Sequence, residues 1–431
     1  MSRLRFEKGG REFQASLDPQ TATVKVSAGE ALQAHTLEQH YGTTSSKHQE
    51  VISSLVNDGL SAVGAPDFVG RNVRAFTFMP TSRCNMGCTY CGQEHTRGNV
   101  SAAVADRFLG RVTTAFNSPR IAHVHVAWFG GEPLLAFRSI IDLSVAITSN
   151  AQASGKEYSS KITTNGALLT PRRMQQLIED AQVSRFDITV DGTPDVHNRH
   201  RPLKGGGGSF ESIMRTLSWF RTANLSRPAL VVLRTNVDKD NLADIPRYLT
   251  LMKEHGFDDS ARFLYELSPI HSWGNDVSAT ALTTFDAARA EIEWMTQMEN
   301  IQLPFGLLPG KPASITCVAT DRRSEVIGSE GNLLSCTETP LTGQAADDTL
   351  GNILTMAAAD NRPLGKFDGW DLAVAEGRLP CSTCALRIVC RGACPKQWSE
   401  GSVPCPTLKL NFDARLAIFM RRHGYEAVSV A

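Results

Sequence analysis

The stretch that decides the fold is CNMGCTYCGQEH, Cys84 to His95. Its three cysteines, Cys84, Cys88 and Cys91, are spaced Cys-x3-Cys-x2-Cys. Ala75-Phe76-Thr77-Phe78-Met79, just before them, reads as a buried strand, and a helical pattern begins near Ala102. The cysteines therefore sit on a loop at the C-terminal end of a strand, where a tight turn can aim three thiolates at one point. Thiolates select zinc, copper(I) or iron–sulfur clusters. A structural zinc site takes four protein ligands, whereas three thiolates suit a 4Fe–4S cluster with one iron left for a ligand that is not protein. Tyr90 gives the loop an aromatic face to shield such a cluster. The competing reading is a fragment of a zinc site, or three unrelated buried thiols.

Working outward, 431 residues are too many for one ordinary core, so two or three domains are expected. Hydrophobic content of 42% with 20% charged residues is that of a globular protein. The 44 basic and 44 acidic side chains cancel, which speaks against a nucleic-acid or anionic-membrane partner. No apolar run reads as long enough to span a bilayer. The N-terminal MSRLRFEKGGREF has no apolar stretch behind its basic residues, so no secretory signal is expected. Ten cysteines without a signal favour a reducing compartment and metal binding over disulfides. The expectation is a cytoplasmic metalloprotein.

Residues 1–70 read as a small separate α+β unit. Glu12–Leu17 and Thr23–Val26 alternate apolar and polar residues around Asp18-Pro19-Gln20, a hairpin signal. Leu32, Leu37 and Tyr41, then Val51, Ile52, Leu55 and Leu60, suit two short amphipathic helices. Residues 71–274 alternate strand and helix patterns. Further apolar runs lie at 124–129, 161–163, 186–190, 229–233 and 262–265, with helical periodicity near 103–117, 138–150, 171–181, 210–223 and 243–255. Six strand–helix repeats argue for a parallel sheet wrapped by helices. In such sheets function gathers at the C-terminal ends of the strands. Residues 275–310 form a bridge with one helix at 283–299, and residues 311–431 hold the other seven cysteines and a C-terminal helix.

Polar motifs follow the strands. Gly130-Gly131-Glu132-Pro133 ends the second repeat's strand; glycines let backbone approach a ligand, and Glu132 places a carboxylate where an ammonium group could sit. Thr163-Thr164-Asn165-Gly166 follows the third. Val190-Asp191-Gly192-Thr193-Pro194 follows the fourth and leads into VHNRHRPLKGGGGSF. The glycines 205–208 form a flexible turn and no phosphate loop, because no Gly-Lys-Ser/Thr ending is present. Arg234-Thr235-Asn236-Val237 closes the fifth strand with polar groups at the same rim.

The Cys-x3-Cys-x-aromatic-Cys loop resembles the signature of radical S-adenosylmethionine (SAM) enzymes. That resemblance implies a partial (β/α)6 barrel, open on one side. It implies a 4Fe–4S cluster on Cys84, Cys88 and Cys91 whose free iron binds the amino and carboxylate groups of SAM. An electron from the cluster then splits SAM into methionine and a 5′-deoxyadenosyl radical. Gly130, Gly131, Glu132 and Pro133 match the family's GGEP motif, which holds the SAM amino group. Asn165 matches a TNG segment beside SAM. Asp191 matches the DG that precedes His-x3-Arg, so His197 leads to Arg201 as the residue contacting the SAM carboxylate; Arg199 stands close enough to substitute. Arginine suits a carboxylate because its fork grips both oxygens.

The last seven cysteines, Cys317, Cys336, Cys381, Cys384, Cys390, Cys394 and Cys405, resemble the SPASM extension of radical SAM enzymes that modify peptides and proteins. The alternative is a zinc ribbon, since Cys381-x2-Cys384 alone is a common zinc half-site. By resemblance, Cys381, Cys384, Cys390 and Cys405 hold one auxiliary 4Fe–4S cluster and Cys317, Cys336 and Cys394 another, three clusters in all. Some relatives place a fourth cysteine shortly before the first of that trio. Here the stretch reads GLLPGKPASIT, which leaves an open iron or a non-cysteine ligand. Residues 1–70 resemble a peptide-recognition element, with a packing cap as the alternative. The whole implies a maturase that abstracts hydrogen from a ribosomally made precursor peptide and forms a carbon–carbon or carbon–heteroatom crosslink. Its electron donor would be a flavodoxin or ferredoxin. A sulfatase-maturase-like oxidation of cysteine or serine to formylglycine is the alternative; those enzymes carry aspartate after the second cysteine of the extension, where this chain has Thr337 and then Glu338. A non-catalytic binding protein stapled by metals is the rival of another class.

Overall fold

The computed structural model describes residues 4–18, 23–28, 31–35, 72–95, 98–309, 317–339, 341, 346–378, 381 and 383–427. The chain starts with an antiparallel meander, β1 (Leu4–Lys8), β2 (Arg11–Asp18), β3 (Thr23–Ala28) and β4 (Ala31–His35). The alternating residues Ala15, Leu17, Val24 and Val26 share one buried face, and Leu17 stands opposite Val24, as the hairpin pattern requires. Leu32 departs from expectation. It lies in β4, paired to Ser27 of β3, and not in a helix. A single apolar residue fits either element, and the open backbone edge of β3 decides it. Leu37, Tyr41, Val51, Ile52, Leu55 and Leu60 lie outside the described residues.

The central sheet contains β5 (Val73–Phe78), β6 (His123–Trp128), β7 (Glu157–Thr164), β8 (Val183–Thr189), β9 (Leu230–Val237) and β10 (Phe263–Pro269), all parallel and neighbouring in chain order. The crossovers carry α1 (Ala102–Asn117), α2 (Phe137–Ser154), α3 (Pro171–Glu179), α4 (Pro194–His200), α5 (Phe210–Thr222) and α6 (Ile245–Glu254). This is the expected partial (β/α)6 barrel. Helix starts are written locally: the Ser101 hydroxyl accepts from Val104 N–H, and Thr170 accepts from Arg173 N–H just ahead of Pro171. Along each strand the period of two separates the faces. Phe76, Val126, Ile162, Phe186, Val231 and Phe263 are buried on the helix side. The opposite face carries His125, Lys161, Arg185, Asp187, Arg234 and Glu266, aligned by register across β6 to β10.

Two further findings adjust the sequence reading. Pro133–Ser154 is long and apolar enough by composition to cross a membrane. Its residues Ile140, Leu143, Ile147 and Ala151 pack into the barrel core, which accounts for the apolar content. The second concerns the cysteine-rich block, which is sewn into the barrel sheet. β11 (Ser324–Ile327) runs parallel along the free edge of β5, and β12 (Asn332–Leu334) and β13 (Thr349–Asn352) continue antiparallel, giving nine strands. Glu325 of β11 is fully buried between two guanidinium groups, Arg74 of β5 and Arg111 of α1, the latter at 2.8 Å. Helix α7 (Thr284–Asn300) packs against α8 (Leu408–Arg422), where Asn411 donates to the Ala288 carbonyl and Glu291, both at 2.9 Å.

Candidate active site

The cysteine loop leaves β5 and is fixed from both sides by backbone. Gly87 N–H donates to the Pro202 carbonyl at 2.9 Å, Thr89 N–H to His200 at 3.1 Å, and Lys204 N–H to Asn85 at 2.9 Å. The segment after α4 therefore runs against the loop like a strand. On the other side Glu132 N–H donates to the Arg83 carbonyl at 2.8 Å. Gly130 (φ +126°) and Gly131 make this approach possible: a Cβ on Gly131 would lie 2.4 Å from the Arg83 carbonyl oxygen. Side-chain contacts reach the sulfurs themselves. Asn165 Nδ2 lies 3.9 Å from Cys84 Sγ and donates to Asn85 Oδ1 at 2.8 Å, and His95 Nε2 lies 3.9 Å from Cys91 Sγ. Burial pushes the Cys88 thiol up to about 11, with the Arg201 charge opposing and Asp191, Cys91 and Cys84 adding to the rise.

Glu132 is completely buried, and three protein donors already engage its carboxylate. Leu134 N–H donates at 2.9 Å, the Thr164 hydroxyl at 2.7 Å and Asn165 N–H at 2.7 Å. It thus pins the loop after β6 to the end of β7, with Pro133 starting the next helical turn. Burial raises its pKa against these donors.

The far side of the rim is a knot centred on Asp191. Its Oδ2 accepts from the Tyr90 hydroxyl at 2.7 Å and pairs with His200 Nδ1 at 3.2 Å; its Oδ1 accepts from Asn236 N–H at 2.8 Å. Arg201 donates to the Tyr90 oxygen and lies 3.4 Å from Asp191. Asn236 Nδ2 reaches the same Tyr90 oxygen at 2.8 Å. Burial opposes ionisation of Asp191, yet Arg201 and His200 hold its carboxyl down at about 2. His200 bridges Asp191 and Asp238, the latter at 2.8 Å; burial works against its charge, but the two aspartates hold its pKa up at about 9. His197 is the opposite case. It accepts from Asp191 N–H, donates to the Ser209 hydroxyl, and burial drops its pKa to about 3, so it is a neutral core histidine. Of the two arginines, Arg201 is buried in the knot with an unpartnered Nε, while Arg199 is exposed on α4. His200 and Asp238 escaped the sequence reading, and Asn236 was read only as one of the polar groups closing the fifth strand.

The seven C-terminal thiols sort by proximity into two sets. Cys317, Cys336 and Cys394 feel one another: burial raises Cys317 to about 11 and Cys336 to about 12, with neighbouring thiols of this set contributing. Cys381 and Cys390 are raised by burial and then by thiols of their own set, Cys384 and Cys405 beside Cys381, Cys381 and Cys405 beside Cys390. Arg391, Gly392 and Ala393, all with positive φ, turn the chain sharply between Cys390 and Cys394 and send those two thiols to different sets. The trio's segment touches the barrel mouth: Trp273 Nε1 donates to the Glu338 carbonyl, His271 pairs with the Glu338 carboxylate at 3.2 Å, and Glu94 N–H donates to Leu341 at 2.6 Å.

Residues 78–252 match the family model of the radical SAM superfamily. The matched stretch is a radical SAM domain. The serine-type anaerobic sulfatase-maturating enzyme of Klebsiella pneumoniae is 24% identical over 331 residues, covering 72% of this chain and 79% of that one. A probable GTP 3′,8-cyclase of Methanococcus maripaludis is 27% identical over 149 residues, 35% of this chain and 46% of the other. Among solved structures, AdoMet-bound native anSMEcpe superposes with a TM-score of 0.61 at 16% identity, covering 81% of this chain and 97% of that one. SAM-bound SuiB of Streptococcus suis gives 0.50 at 13% identity, covering 90% and 96%. These structures share the fold.

The radical SAM family implies SAM and a 4Fe–4S cluster, and the residues present fit them. Among the described residues no three His, Cys, Asp or Glu side chains gather to hold a single metal ion. A cluster asks for something different, since each cysteine binds its own iron. The radical SAM loop offers three thiols close enough to influence one another. The buried, unpartnered Nε of Arg201 beside them is a donor suited to a carboxylate.

Proposed function

We propose that the protein is a SPASM-type maturase that oxidises a residue of a ribosomally made precursor peptide and closes a crosslink on it. One observation carries the reading: the Cys317, Cys336 and Cys394 segment is bonded to the barrel mouth through Trp273, Glu338 and Leu341, so a substrate at the mouth lies between two thiol sets. The peptide-bound anSMEcpe structure, with a TM-score of 0.62, supports a peptide as the occupant. Cys84, Cys88 and Cys91 would hold the SAM-binding cluster. Gly130, Gly131, Glu132, Pro133 and Asn165 shape the pocket for SAM, and Asp191 orients Arg201 toward its carboxylate. When bound, SAM and the reduced cluster supply a 5′-deoxyadenosyl radical that takes a hydrogen atom from the substrate. The protein's part is to orient both reactants and to exclude water. Two auxiliary clusters, on Cys317, Cys336 and Cys394 and on Cys381, Cys384, Cys390 and Cys405, would accept the second electron, and a flavodoxin or ferredoxin would be the electron donor to the SAM-binding cluster. Residues 1–70 would bind the precursor.

The test incubates anaerobically reconstituted enzyme, SAM and reductant with short peptides encoded beside its gene. A crosslink appears as loss of two hydrogen atoms with a new bond located by fragmentation. The Klebsiella relatives favour a second reading, oxidation of serine or cysteine to formylglycine. That product carries an aldehyde and is trapped by a hydrazide; a crosslinked product is not.

A further inference from the structure

The inner face of the barrel sheet holds a group of charges that the rim does not use. Lys161 on β7 stands beside Arg185 on β8, and Arg234 on β9 beside Glu266 on β10; Asp187 lies on the same face two residues beyond Arg185. The group is partly open on that face, with side-chain exposures of 23% for Lys161, 38% for Arg234 and 31% for Glu266. The residues between them in sequence, Ile162, Phe186 and Leu233, are sealed beneath the helices.

The charges do not balance. Arg234 is matched by Glu266 at 2.8 Å, and Arg185 by one oxygen of Asp187 at 2.7 Å. Lys161 shares Asp187 with Arg185, its ammonium 3.7 Å from the second carboxylate oxygen, and it also feels the Glu266 charge. His125 adds no charge, since burial pushes its pKa well below the ordinary value. Three cations thus face two carboxylates, and Lys161 holds the longest of the three ion pairs. A charge held out of water is costly unless closely paired, and burial lowers the pKa of Lys161 against the pull of the Asp187 and Glu266 carboxylates. Lys161 stands three residues, about 10 Å, below Thr164 at the rim, within reach of a side chain inserted from the mouth.

We propose that this face is a carboxylate subsite in which Lys161, beside Arg185 and with Arg234 further toward the rim on the same face, receives an aspartate or glutamate side chain of the substrate peptide. The inference rests on the peptide-maturase reading, and its test separates the two. The probes are acetyl-aspartate amide and acetyl-asparagine amide, whose blocked ends leave the side chain as their one difference. Each is titrated calorimetrically into SAM-saturated, cluster-loaded protein, so that the groups binding the SAM carboxylate are already filled. The wild type should bind the aspartate probe at least ten-fold more tightly. Lys161→Met should lose that preference and Lys161→Arg should keep it. Equal affinity for both probes on the wild type, or an undiminished preference in Lys161→Met, overturns the subsite. A Lys161→Met protein that fails to fold also overturns it, because Asp187 keeps its 2.7 Å pair with Arg185 and the excess cation should be dispensable for folding. Failure of the wild type to bind SAM in the same cell would instead defeat the maturase reading.

Discussion

At the scale of single residues, Glu132 and His200 show how the rim is held. Glu132 offers an anionic acceptor to three donors from two segments. Glutamine in its place presents an NH2 group to one of them and leaves a buried donor unmatched, a cost of about 1–3 kcal/mol. Glu132→Gln should therefore lower the melting temperature and weaken SAM binding while retaining iron; equilibrium dialysis and thermal unfolding check both. His200 yields a pH dependence. Its folded pKa of about 9 lies above the ordinary 6.5. Its contribution to stability is thus complete below pH 6.5, fades as the pH rises, and is gone above about 9. Asp191, held down at about 2 from an ordinary 3.8, contributes above 3.8 and loses its contribution as the pH falls through 2. Melting curves of the metal-free protein should fall between pH 6.5 and 9.5 in the wild type, and fall less steeply in His200→Gln. The motif residues were legible because their spacing is local. The knot was not: Tyr90 finds Asp191 101 residues away and Asn236 146 residues away, and no local pattern records such a pairing.

At the scale of elements, the six barrel strands and five of the six helices between them stand where the apolar runs and periodicities put them, because a parallel strand sealed by helices needs an unbroken apolar face; the short α4 carries no such period. The edge elements were harder to read. Leu32 has the same neighbours in a strand as in a helix until β3 is present to pair with it. β11 was hidden for a related reason: Ser324–Ile327 is four residues long, and its place along β5 depends on Glu325 meeting Arg74 and Arg111. That trio should behave as a fastener between the barrel and the cysteine-rich region. Glu325→Gln leaves two guanidinium groups buried without an anion, and breaking a buried pair in this way costs about 3–5 kcal/mol. Urea unfolding of the variant should show a loss of that order. A change below about 1 kcal/mol would mean that water reaches the arginines.

At the scale of the molecule, the sheet joins the cysteine loop after β5 to the segment carrying Cys317 and Cys336, and the mouth lies between them. Sequence spacing divided the seven C-terminal cysteines through a family resemblance, and the left-handed turn at Arg391–Ala393 supplies a physical basis for that division. Which side chain faces the substrate was not legible, because the inner face of the barrel takes its character from register between strands far apart in the chain. The central claim is that Cys84, Cys88 and Cys91 hold the cluster at which SAM is cleaved. The direct measurement is 5′-deoxyadenosine formation, with iron content, in the reduced wild type and in the protein with all three changed to alanine. The expected result is about twelve iron atoms per chain and steady product in the wild type, against about eight and none in the variant. Product formation by the triple variant would contradict the claim.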